Sequence, residues 1–350
     1  MPMNSVLLPR IACRSAISGL ASLTKFLQPL PTCHHFAVQR NSSKQLRRTS
    51  AEHRKAASDA QSARGNHFPS AQLASVTWKP QPTLFKSPKP ACPVYMMHGL
   101  LGYKEEFAAF GQTIADRTGH AVTAFDARNH GESEHIDGMN YISTGDDMAH
   151  YMEANGTKEA IFVAHSMGAG SAISLALRRP DLVTGLLTID VGVSDAPRKT
   201  QLLEFLKSLL KIPLRHGVSL EEGRAAVRKI LLAYEVEPFI VEHRVLPNII
   251  EKDGKIQWRI NLPIIARDIL NLTQAPAGIQ FANLVYDKPV AILMGGSSDY
   301  IKADDDGLLY RNFPKAKIQR VPDAGHWVHL DQPKVFLEAA VKFINQLTTT

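Results

Sequence analysis

From residue 93 onward, short continuous apolar runs alternate with amphipathic stretches. The runs are PVYMMHG (93–99), AVTAFDA (121–127), EAIFVAHS (159–166), LVTGLLTIDV (182–191), PVAILMGG (289–296) and AKIQRVP (316–322). Most are bounded by turn residues, the pattern of strands buried on both faces of a parallel sheet. Helical spacing fills intervals at 104–117, 144–155, 167–178, 304–313 and 333–347. This alternation predicts a mostly parallel sheet with helices on both faces, and Val76–Trp78 reads as an added edge strand. Residues 195–285 break the rhythm. They read as several helices, among them Gln201–Leu210, Leu220–Tyr234 and Leu262–Leu272. The interval is too long for a crossover and predicts an inserted helical cap.

Charge divides the chain in two. The formal charge of +7 suggests a nucleic-acid partner at first sight. Residues 1–75, however, hold ten Lys/Arg and only two acids, Glu52 and Asp59. Removing these from the chain's 40 basic and 33 acidic residues leaves 30 and 31, so the body is neutral and no nucleic-acid partner is expected. Residues 1–75 are Arg- and Ser-rich, acid-free before Glu52, and weakly amphipathic around Ile11–Leu30. That composition fits a mitochondrial transit peptide and linker, leaving 76–350 as the folded domain. No apolar run approaches the roughly 18 residues of a membrane-spanning helix. Of Cys13, Cys33 and Cys92, only Cys92 lies in the body, which excludes a disulfide within it and points to a reducing compartment.

The chemistry concentrates where predicted strands end. Ala164-His165-Ser166-Met167-Gly168 follows a strand and opens a helix. A serine there sits on a sharp turn that pushes its hydroxyl out of the sheet, with small residues at 164 and 168 for the close backbones. A hydroxyl is a weak nucleophile and needs a base. His326, in Ala324-Gly325-His326-Trp327 after the last strand, is the candidate. His165 is expected to pack under the turn, and His329 to line the mouth or cap the final helix. An oxyanion hole needs two converging backbone N–H groups. Met167 and Leu100, in His98-Gly99-Leu100-Leu101-Gly102, supply them. The acid is open: Asp190 ends one strand and Asp299 follows another. Asp126-Ala127-Arg128-Asn129-His130-Gly131-Glu132-Ser133 reads as a hydrogen-bonded turn bracing the oxyanion loop. No HExxH, paired cysteines or phosphate-cradling loop with a following Lys-Ser/Thr is present, so no metal and no cofactor are expected.

These pieces resemble a known family. HGLLG, DARNHGES, AHSMGAG, QWRINL (257–262) and VPDAGHWVHLDQP are similar to the mitochondrial alpha/beta-hydrolase domain-containing 11 proteins, the fungal ethanol acetyltransferases and related bacterial esterases. The resemblance spans roughly residues 76–345. It implies the α/β-hydrolase fold, a Ser–Asp–His triad and a soluble mitochondrial protein. It also implies ester or acyl thioester substrates, with acyl-CoA a possible substrate and an alcohol a possible acceptor. In that branch the acid can end the strand after the nucleophile helix, which favours Asp190 over Asp299. The competing reading is a non-catalytic, partner-stabilising protein on the same fold.

Overall fold

The computed structural model describes residues 68–81, 92–191, 199–214, 217–274, 283–301 and 306–348. Nearly all of the basic extension, residues 1–67, lies outside the described residues. The main sheet is built from β1 (Ser75–Trp78), β2 (Val94–Met97), β3 (Val122–Phe125), β4 (Ala160–His165), β5 (Val183–Ile189), β8 (Val290–Gly295) and β9 (Ala316–Val321). Across the sheet these seven strands follow the order β1-β3-β2-β4-β5-β8-β9. Among the described residues, only the edge strand β1 runs antiparallel in this sheet.

The apolar runs are continuous because both faces are covered. Along β2, Val94 and Met96 join one core while Tyr95 and Met97 join the other, the two-residue alternation of a pleated strand. The first core holds Ile114 of α1 (Ala108–Thr118) and Phe336 and Ile344 of α8 (Pro333–Thr348). The second holds Met148 and Met152 of α2 (Tyr141–Ala154), Leu175 of α3 (Met167–Arg178), and the cap. Helix α2 starts at Tyr141, earlier than its apolar periodicity indicates. The Asn140 side chain caps it by accepting the Ser143 N–H at 2.8 Å.

The cap corrects one expectation. It contains α4 (Lys199–Leu210), α5 (Leu220–Ala233) and α6 (Leu262–Asp268), but also a β-hairpin. Strands β6 (Ile249–Lys252) and β7 (Lys255–Trp258) pair antiparallel across Asp253-Gly254, both at positive φ. Asp-Gly between two β-prone stretches is the signature of a tight hairpin turn, and it interrupts the helices expected across this interval. The predicted helix over 262–272 continues beyond Asp268 only as 3₁₀ turns. After the cap the chain returns to the sheet, with α7 (Asp306–Asn312) joining β8 to β9.

The folded body also reaches upstream of Val76. Ala71 N–H donates to Asp147 Oδ1 (2.7 Å), Ala74 N–H to Ser133 Oγ (2.8 Å), and Arg128 Nη2 to the Pro69 carbonyl (3.0 Å). Among the described residues, no helix is long and apolar enough to cross a membrane.

Candidate active site

Ser166 lies between β4 and α3, with φ 50° and ψ −118°. A non-glycine residue held there is strained, and the strain turns its side chain out of the sheet. Gly168 permits the turn: a Cβ there would sit 2.5 Å from Met97 Cγ and 2.6 Å from the His98 carbonyl oxygen. Ser166 Oγ is 2.9 Å from His326 Nε2, and His326 Nδ1 is 2.8 Å from Asp190 Oδ2. Asp190 is fully buried at the end of β5, itself at φ 49°. Its carboxylate also accepts Gly295 N–H at 2.8 Å on Oδ1 and the Ser298 hydroxyl on Oδ2. With the carboxylate accepting at Nδ1, the imidazole carries its proton there and presents Nε2 as acceptor to the serine hydroxyl. Asp299 follows β8 but is exposed, so the structure brings Ser166, His326 and Asp190 together and leaves Asp299 at the surface.

The loop at 98–102 is fixed from three sides. Ala127 N–H donates to His98 Nε2 (3.0 Å), so the His98 proton sits on Nδ1 and is donated to the Gly99 carbonyl (2.7 Å). Gly102 N–H donates to the same carbonyl at 3.0 Å. Because a trans peptide points its C=O and N–H in opposite directions, locking the Gly99 carbonyl also sets the Leu100 N–H. A Cβ on Gly99 would lie 3.1 Å from Ser166 Cβ, so this peptide rests directly against the serine. Leu101, at φ 58°, donates its N–H to His130 Nε2 at 3.2 Å. The third support comes from the cap: Asn248 Nδ2 donates to the Leu101 carbonyl at 2.8 Å. Burial lowers the affinity of His98 and His130 for a proton, His130 to a pKa of about 3, so both stay neutral.

The DARNHGES turn is structural, as its composition suggests. Asp126 accepts Lys104 Nζ (2.9 Å) and the Lys104 (2.7 Å) and Glu132 (2.9 Å) amides. Arg128 is fully buried against Asp147. His165 packs beneath the serine and donates Nε2–H to the His326 carbonyl at 3.0 Å. His329 neither lines a mouth nor caps a helix. It is fully buried between Phe107 and Phe336, 3.8 Å from Glu106 Oε2, too far for a hydrogen bond. Glu106 is paired with Arg244 of the cap. Burial alone would raise its pKa, but the Arg244 charge beside it holds it at about 2.

A family model described as alpha/beta hydrolase fold matches residues 93–213. The sn-1-specific diacylglycerol lipase ABHD11 of Mus musculus is 32% identical over 251 residues, covering 72% of this chain and 80% of its own. The chain is an α/β-hydrolase of the ABHD11 branch. A probable alcohol acetyltransferase of Saccharomyces cerevisiae is 25% identical over 271 residues, covering 74% of this chain and 78% of its own. The solved structure of a marine microorganism esterase superposes with a TM-score of 0.68 at 27% identity, covering 78% of this chain and all of its own. Two residues of this α/β-hydrolase site escape the sequence reading. Ser298 touches Asp190 from 108 positions away, and Tyr300 lies flat on His326. Both sit in the Gly-Ser-Ser-Asp-Tyr loop after β8, where neither a lone hydroxyl nor a lone ring forms a motif.

Proposed function

We propose that this chain is a serine-dependent acyl-enzyme catalyst acting on short-chain esters and acyl thioesters, which it hydrolyses and whose acyl group it also transfers to alcohols. The observation that carries the reading is the unbroken hydrogen-bond chain from the strained Ser166 through His326 to buried Asp190. Ser166 Oγ attacks the acyl carbon while His326 Nε2 takes its proton, and Asp190 offsets the charge that develops on the imidazole. The Leu100 and Met167 amides receive the oxyanion. His326 then protonates the departing alkoxide or thiolate, and water or an alcohol, deprotonated by the same nitrogen, releases the acyl group.

Relatives named as lipase and esterase support hydrolysis, and the yeast relative's name supports transfer. Water at about 55 M against an alcohol at ~10 mM sets a bias of about 5 kcal/mol that the site must overcome to favour transfer. The cap, which reaches the Leu101 carbonyl through Asn248 and Trp327 through Phe239, is the element suited to exclude water. The proposed location is the mitochondrion, on the Arg- and Ser-rich, acid-poor composition of the extension.

The test is product analysis with acetyl-CoA while ethanol is raised, alongside a fluorophosphonate probe. Wild type should be labelled at Ser166 and release both acetate and ethyl acetate. Ser166→Ala should stay folded, escape labelling and lose at least about 10⁴ of its turnover. An alanine variant within tenfold of wild type would overturn the reading. Acetate alone, at a rate ethanol does not change, would remove transfer and leave hydrolysis.

A further inference from the structure

The loop after β8 carries an aromatic ring that the chemistry above does not use. Tyr300 stacks on His326 with ring centroids 3.7 Å apart and planes 17° from parallel. His326 is held at two ring nitrogens, by Asp190 at 2.8 Å and Ser166 at 2.9 Å. Both bonds can keep their length while the ring rotates about the line through its own two nitrogens. That rotation tilts the Nε2 lone pair away from the serine hydroxyl, and a hydrogen bond weakens steeply when misaligned. A flat group against the ring face opposes the rotation. The other rings nearby meet the imidazole at an angle: His165 at 4.8 Å and 49°, Trp327 at 5.3 Å and 72°.

We propose that Tyr300 is a positioning residue for the general base, its ring keeping the His326 imidazole in the plane that aims Nε2 at Ser166 and facing the positive charge the imidazole gains as Ser166 is acylated. The inference rests on the acyl-enzyme reading. A tyrosine face is electron-rich and attracts a cation within about 6 Å of its centroid. The ring's placement is tied to the acid through one residue. Tyr300 N–H donates to Ser298 Oγ at 3.3 Å, and the Ser298 hydroxyl donates to Asp190. The loop that carries the acid in the ordinary version of this fold here touches both members of the Asp190–His326 pair.

The experiment is an aromatic series on the full chain. Tyr300→Phe and Tyr300→Trp keep a flat ring; Tyr300→Leu and Tyr300→Gln remove it. The non-aromatic variants should lose about tenfold in kcat with KM within about twofold of wild type, while the aromatic variants keep at least about half of kcat. The rate of fluorophosphonate labelling at Ser166 should divide the same way. Melting curves accompany the kinetics, and the glutamine variant carries the comparison if leucine unfolds the loop. Equal kcat across the series, a loss confined to KM, or a phenylalanine variant as slow as leucine overturns the proposal. The two readings fail separately. Wild type left unlabelled at Ser166 sinks the acyl-enzyme reading, whereas equal labelling of wild type and the leucine variant sinks only the role of Tyr300.

Discussion

Asp190 is fully buried and three donors meet its carboxylate: the Gly295 amide, the Ser298 hydroxyl and His326 Nδ1. Asp190→Asn puts an amide where an acceptor is required and favours the wrong imidazole tautomer. Turnover of a short-chain ester should fall by about 10³–10⁴, as tautomer loss does in other serine triads. Asp299→Asn, at an exposed site, should stay within about threefold. Steady-state kcat for the two variants decides, and the reverse order would move the acid to Asp299. The Ser166–His326 pair is legible in the sequence because a turn of small residues flanks each. Which aspartate meets His326 is not legible from spacing, because Asp190 and Asp299 follow β5 and β8, which are neighbours in the sheet. What separates them is burial and the left-handed turn at Asp190, neither of which the alternation of polar and apolar residues encodes.

Among the elements, the parallel strands are the most legible, since burial on two faces leaves uninterrupted apolar runs such as Ala160–His165. The cap hairpin is harder to read because its strands are short and only Ile249 and Ile256 are buried. The upstream boundary is illegible for a different reason. Residues 68–74 dock through backbone amides and carbonyls, which leave no mark on side-chain pattern, and through Phe68, Ala71 and Leu73, too few apolar side chains to set a strand or helix period. The consequence is testable. Removing residues 1–67 should leave ester turnover and melting temperature nearly unchanged. Removing 1–74 strips acceptors and donors from the buried Arg128–Asp147 pair, at about 1–3 kcal/mol for each buried polar group left unpaired. Melting temperature should fall by several degrees. On the mitochondrial proposal, N-terminal sequencing of the organelle-borne chain should find a shortened chain that starts within roughly residues 40–68. A start at Met1, or a shortened 75–350 chain as stable as the longer one, contradicts this account.

On the scale of the whole molecule, His98, His120, His130, His165 and His329 are all buried, and burial lowers the pKa of each below the ordinary histidine value. The unfolded chain protonates these rings near pH 6.5, whereas the native state resists, so below that pH unfolding takes up protons and stability falls with falling pH. For His130 the loss continues down to about pH 3. Glu106 has the same sign. Its pKa of about 2, below the 4.5 of a free glutamate, contributes stability above pH 4.5 that disappears toward pH 2. Melting temperature should therefore be nearly level, as far as these groups go, between pH 7 and 8. It should drop progressively from pH 6.5 to 4, because each tenfold difference in proton affinity between folded and unfolded chain is worth about 1.4 kcal/mol. A level profile down to pH 5 would contradict neutral burial of these rings. The cap joins this same interior: Arg244 pairs with Glu106, Asn248 holds the Leu101 carbonyl, and Asn261 N–H donates to the Asn129 carbonyl at 2.9 Å. A chimaera that grafts a relative's cap onto this body would thus also remove three supports of the loops beside Ser166, and an engineer who exchanges the cap must rebuild the contacts of Arg244, Asn248 and Asn261 to keep those loops in place.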